Sequence, residues 1–129
     1  MSATGDAQSL AVAARLIADE GGGGEALVRI YERYFDSLAP IIGARGVRAL
    51  FARAVWLEKA RHASLAALAL DADARGAAAE LALGLKDQPP DVVRAAAVAT
   101  LGGFLCLVVA ILGADLAAEI MGAELREIR

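Results

Sequence analysis

Ala95-Ala96-Ala97-Val98-Ala99-Thr100-Leu101-Gly102-Gly103-Phe104-Leu105-Cys106-Leu107-Val108-Val109-Ala110-Ile111-Leu112-Gly113-Ala114 is a run of twenty residues without a charge, bounded by Arg94 and Asp115. A bilayer span needs about 20 apolar residues, so the length fits. The content fits less well. Nine side chains are strongly apolar, four Leu, three Val, Phe104 and Ile111, each worth roughly −0.3 to −0.6 kcal/mol on an insertion scale. Ala and Gly fill most of the rest, and the Gly102-Gly103 pair weakens a helix. The flanking bases, Arg75, Lys86 and Arg94 before and Arg126 and Arg129 after, set no orientation, and no aromatic belt is present. We therefore read the stretch as the apolar helix of a soluble bundle. A tail-anchored single span through Ala95–Ala114 is the alternative.

The rest of the chain supports the bundle. Of 129 residues, 32 are Ala and 18 Leu, with 13 Gly, three Pro and no Asn. Ala and Leu favour helix, and the β-branched and aromatic residues never alternate over the length of a strand. The expected fold is all-α: one domain over residues 1–129, a helical bundle of about five helices. Its long apolar C-terminal helix is either continuous or hinged near Gly113. A chain of this length buries roughly two thirds of its unfolded surface, enough for a core without metal or disulfide.

Thirteen basic and sixteen acidic side chains leave a net charge of −3, which excludes a general nucleic-acid-binding role driven by phosphate neutralisation. The single cysteine, Cys106, is flanked by Phe104-Leu105 and Leu107-Val108 and reads as a buried, inert thiol in a reducing compartment. Met1 to Ser9 carries no basic cluster and no apolar run follows it, so no export signal is expected. The expected location is the cytoplasm, with membrane anchoring as the alternative.

Asp6 or Ser9 is placed to cap a first helix running to Asp19, and Gly21 to Gly24 form a flexible connector. That tetraglycine lacks the Lys-Ser/Thr and preceding strand of a phosphate loop. A second helix starts near Glu25 on an apolar face of Leu27, Val28, Ile30, Tyr31, Tyr34, Phe35 and Leu38. A Glu25/Arg29 pair supports it, and Pro40 and Gly43 punctuate its end. The third helix is expected over Ala44 to His62, a fourth over Ala74 to Leu85, and the strongest break at Lys86 to Asp91, where Pro90 opens the last helix.

Small residues recur every four positions at Gly102, Cys106, Ala110, Ala114, Ala118 and Gly122. Such a ridge lets another helix approach closely. It drifts about 40° per step, so it wraps from a bundle neighbour towards a second subunit.

The third helix carries Arg45, Arg48, Arg53, Lys59 and Arg61 against Glu58 alone, a local balance of +4 that leaves −7 for the remainder. At about 100° per residue, Val47, Leu50, Phe51 and Ala54 form its buried stripe, and Arg45, Arg53 and Trp56 point away. Trp and Arg are enriched at interface hot spots, so these three residues are candidates for binding a protein partner. Packing of Trp56 on another helix of the bundle is the competing account. Glu58 and His62, at i,i+4, are within hydrogen-bonding reach of each other. A carboxylate there raises the imidazole pKa, which suits a pH-sensitive contact or a phosphoryl-accepting histidine. Exit of the helix from the core accounts for the same pattern. Ala63-Ser64-Leu65-Ala66 follows His62 where phosphotransfer modules carry Lys and Gly.

Other catalytic sets fail on numbers. One His cannot supply the two Glu-x-x-His motifs of a di-iron bundle, and one Cys with one His cannot hold zinc. Of Ser2, Ser9, Ser37 and Ser64, only Ser64 lies near His62, and two residues on it faces elsewhere. Glu32/Asp36 and Asp115/Glu119 read as solvated carboxylate pairs. No metal and no cofactor is expected.

The segments Gly43-Ala44-Arg45-Gly46-Val47-Arg48-Ala49-Leu50-Phe51-Ala52-Arg53-Ala54 and Ile111-Leu112-Gly113-Ala114-Asp115-Leu116 resemble those of small all-helical bacterial proteins of unassigned function. In that group a Gly-x-Arg-Gly segment precedes an amphipathic helix and a Gly-x-Asp-Leu step lies in the C-terminal helix. The resemblance covers about a fifth of the chain and implies a soluble helical fold without implying a site. The functional expectation is a non-enzymatic interaction or regulatory module, homo-oligomeric, without nucleic acid. A membrane span through Ala95–Ala114 and a phosphoryl relay through His62 stand as alternatives.

Overall fold

The computed structural model describes residues 3–58 and 85–128. The fourth expected helix, the end of the third, and Lys59, Arg61 and His62 lie outside the described residues. Within them the chain is all-α, with no strand. Its helices are α1 (Ala3–Asp19), α2 (Gly24–Ile42), α3 (Ala44–Glu58), α4 (Pro90–Leu112) and α5 (Ala114–Met121), followed by a 3-10 turn at Ala123–Glu127.

Helix α4 is the centre of the bundle and packs against α1, α3 and α2. An aromatic cluster ties three of these elements together. Tyr31 of α2 lies 4.3 Å from Phe51 of α3 and 5.7 Å from Phe104 of α4, ring centroid to centroid, and Phe51 and Phe104 are 6.0 Å apart. The tilted and edge-on ring geometries are those that aromatic quadrupoles favour. Val12, Ala13 and Ile17 of α1 and Leu27, Ile30 and Leu38 of α2 complete the core.

Glycine makes the two sharp corners. Gly43 (φ 85°) and Gly113 (φ 83°) occupy the left-handed region that costs other residues energy. In each corner the glycine N–H donates to the carbonyl four residues back, Gly43 to Ala39 at 2.9 Å and Gly113 to Val109 at 2.7 Å. The glycine carbonyl then accepts the first bond of the next helix, from Val47 and Ala117. The C-terminal helix is therefore divided at Gly113 and again at Gly122.

Several local expectations change. Pro40 does not end α2 but sits inside its last turn, where only one backbone donor is forgone, and Gly43 ends the helix. Helix α1 begins at Ala3, so Ser9 is a buried position within it and not its cap. The tetraglycine is a defined turn. Gly21 and Gly22 take positive φ, the Gly22 N–H reaches the Ile17 carbonyl at 2.8 Å, and Gly24 already belongs to α2. Arg29 turns to the Glu20 carboxylate and carbonyl, not to Glu25.

The C-terminal turn is tied down at two points. Arg15 of α1 pairs with Glu127 at 2.6 Å, and the Tyr34 hydroxyl of α2 donates to Glu124 at 3.0 Å.

Candidate functional site

Between α1 and α4 lies a groove of about 760 Å³, within the size range of small-molecule sites. Its floor is α4 from Asp91 to Leu107, one wall is Leu10, Ala11 and Ala14 of α1, and Leu57 and Glu58 form a lip at the end of α3. Sequence reasoning missed this site because it depends on how α1 crosses α4. The available signal was α4 itself, apolar all round, a pattern that leaves open which face is covered.

Small residues shape the groove. At Gly102 an added Cβ would lie 3.0 Å from the Leu10 side chain and 3.4 Å from its Cα, so α1 approaches the α4 backbone closely. The neighbouring Gly103 meets Ala54 at 3.6 Å and the Glu58 carboxylate at 3.9 Å, an ordinary contact. Gly102 and Cys106 both line the groove, and Cys106 is half-buried. The four remaining ridge positions fall elsewhere. Ala110 is exposed near the end of α4, Ala114 and Ala118 lie on α5, and Gly122 is the residue that ends α5. The corner at Gly113 thus divides the ridge between two helices.

The outer face of α3 forms a second surface. Arg45 and Arg53 are exposed, and Trp56 is 65% exposed, with Leu57 beside it also open to solvent. Most of Trp56 is therefore open to solvent and not covered by the other described helices. Buried Val47, Phe51, Ala54 and Val55 hold the opposite face, and Leu50 is only partly buried. Glu58 is half-buried at the groove lip; its expected partner, His62, lies outside the described residues.

Buried polar groups occur on α2, α3 and α4. The Tyr31 hydroxyl and Arg48 Nε have no hydrogen-bond partner among the described residues, and neither does Thr100 Oγ1 of α4. Burial pushes the Tyr31 pKa up to about 12, opposed only by the Arg48 charge. Tyr34 is also raised, first by burial and then by the Glu124 charge. At the surface, hydrogen bonds from Arg33 and Arg29 hold the Glu20 carboxyl below its usual range.

Among the described residues, no group of three or more His, Cys, Asp or Glu side chains is placed to hold a metal ion. Both i,i+4 carboxylate pairs, Glu32/Asp36 and Asp115/Glu119, are exposed, and Arg126 approaches Asp115 to 3.7 Å. Comparison with models of protein families, with curated proteins and with solved structures finds no match for this chain.

Proposed function

We propose that the protein is a cytoplasmic, non-enzymatic helical interaction module that assembles with copies of itself through the outer face of α3. The observation that carries this reading is the exposure of Trp56 beside two arginines. Arg45, Arg53 and Trp56 share a stripe about 16 Å long by helical rise, and a solvated Trp of this kind is an interface anchor in search of a pocket. The chain as a whole is acidic, at −3, and shows exposed carboxylate pairs on α2 and α5. An arginine-bearing face therefore finds its electrostatic complement on a second copy. Sedimentation equilibrium tests the proposal: the native chain should form a defined oligomer that Trp56→Ala and Arg53→Glu dissociate. A strict monomer at every concentration would overturn it.

A membrane span is the second reading. Helix α4 has 23 residues and a mean hydropathy of 2.5 over its most apolar window, yet half of that window is buried inside the protein. Packing on three other helices supports a core helix. Recovery of the chain with membranes after a high-salt wash would favour the span, and recovery in the soluble fraction without detergent would favour the module.

A further inference from the structure

We propose that the groove on α4 binds the chain of a single-chain amphiphile with an anionic head, a long-chain fatty carboxylate being the simplest case. The apolar tail would lie along α4 and the head at Arg94. This site is separate from the α3 face and does not depend on it.

Shape selects the tail. From Asp91 to Leu107 the floor spans sixteen helical steps, about 24 Å. The groove is open to solvent along one side and holds about 760 Å³, and Arg94 and Leu107, thirteen residues apart on α4, are separated by about 20 Å, close to the extended length of a sixteen-carbon chain. One extended hydrocarbon chain fits that length. The lining suits hydrocarbon: Leu10, Ala14, Leu57, Val98, Ala99 and Leu107 face it, and burying methylenes against such surfaces drives binding.

Charge selects the head. Among the described residues, three charged ones line the groove, Glu58, Asp91 and Arg94. Glu58 stands opposite Gly103, nine residues and about 13 Å along α4 from Arg94, and already has an interaction partner. Asp91 lies in the first turn of α4, where the positive end of the helix offsets its charge. Arg94 has no hydrogen bond or ion pair with another described residue. Arg94 lines the groove near its Asp91 end, and its guanidinium reaches towards the glycine turn, where a Cβ added at Gly22 would lie 3.0 Å from Nη2. A guanidinium so placed matches the bidentate geometry of a carboxylate.

The proposal is tested by calorimetric titration of the native protein with palmitate, laurate and octanoate below their micelle concentrations, and with hexadecyltrimethylammonium as the cationic control. Palmitate should bind tightest, with affinity falling on the order of tenfold for each two methylenes removed, and the cationic chain should bind at least tenfold more weakly. Palmitate should also slow the reaction of Cys106 with a thiol reagent. Gly103→Leu, which adds bulk at the groove wall beside Ala54 and Glu58, should abolish binding. Arg94→Gln should weaken palmitate about tenfold or more and leave the cationic chain unchanged. Circular dichroism checks that both variants keep the native helix content, and Ala95→Trp, at an exposed groove position, replaces Gly103→Leu if that variant unfolds. Absence of palmitate binding, equal binding of the cationic chain, or indifference to Arg94→Gln or to the filling substitution would each overturn the proposal.

Discussion

Helices α2 and α4 both feed the aromatic cluster, but they present opposite faces to solvent. Helix α2 buries Leu27, Ile30, Tyr31, Tyr34, Phe35 and Leu38 and turns Arg29, Glu32, Arg33 and Asp36 outward. Helix α4 buries Leu101, Phe104, Leu105 and Val108, and its other side is small or apolar: Ala95, Val98, Gly103 and Leu107 along the groove. Polarity therefore orients α2, and size orients α4. The bulky side chains of α4 point to the cluster, and its small ones leave the slot.

The largest test of this contrast is a pair of truncations on α4. Phe104 is fully buried among the rings, so Phe104→Ala should cost about 3–5 kcal/mol in urea unfolding. Leu107→Ala, on the half-buried groove side, should cost below about 2 kcal/mol. Equal losses would mean that α4 has no distinct outer face.

Two adjacent glycines make a finer comparison. Gly102→Ala presses a methyl group into Leu10 and should destabilise by about 1–2 kcal/mol. Gly103→Ala meets only ordinary contacts and should gain about 0.5–1 kcal/mol from helix propensity. The two melting temperatures should therefore move in opposite directions, and a shared direction would refute the close approach of α1.

On α2, the two tyrosines should also part company. Tyr34→Phe removes the hydrogen bond to Glu124 and should cost about 1 kcal/mol. Tyr31→Phe deletes a buried hydroxyl that has no partner among the described residues, and should be neutral or gain up to about 1 kcal/mol in the same assay.

Alkaline titration sharpens that pair. Tyrosine in the unfolded chain ionises near pH 10, whereas Tyr31 in the fold holds its proton to about pH 12. The unfolded state loses protons first, so stability should be flat below pH 10 and fall as pH rises from 10 to about 12. Tyr31→Phe should lessen that slope in pH-dependent unfolding, and the part that remains belongs to Tyr34, whose proton is also held by burial and by Glu124.

The class of fold and most helix ends were legible in the sequence because they rest on local rules. Alanine bias set helix throughout, and Gly43 and Gly113 ended helices through a backbone conformation that other residues avoid. Angle arithmetic placed Trp56, Arg45 and Arg53 on one outward face of α3, where they are found exposed. Pro40 misled because a proline in the last turn forgoes only one backbone donor, and Arg29 because the preceding turn brings Glu20 to it. The groove was not legible at all. One wall of it is Leu10, packed against Gly102, a contact between residues 92 positions apart that no periodicity encodes.

The pairing of the first helix with the end of the chain also bears on how fast the protein folds. Arg15 and Glu127 are 112 positions apart, and α1 packs mainly on α4. Helical bundles fold quickly when their contacts are local, because little loop entropy is spent before contacts form. Here the first helix has its main packing partner in α4, near the other end of the chain. Its docking should be the slow phase in stopped-flow refolding, with mutations in α1 chiefly accelerating unfolding.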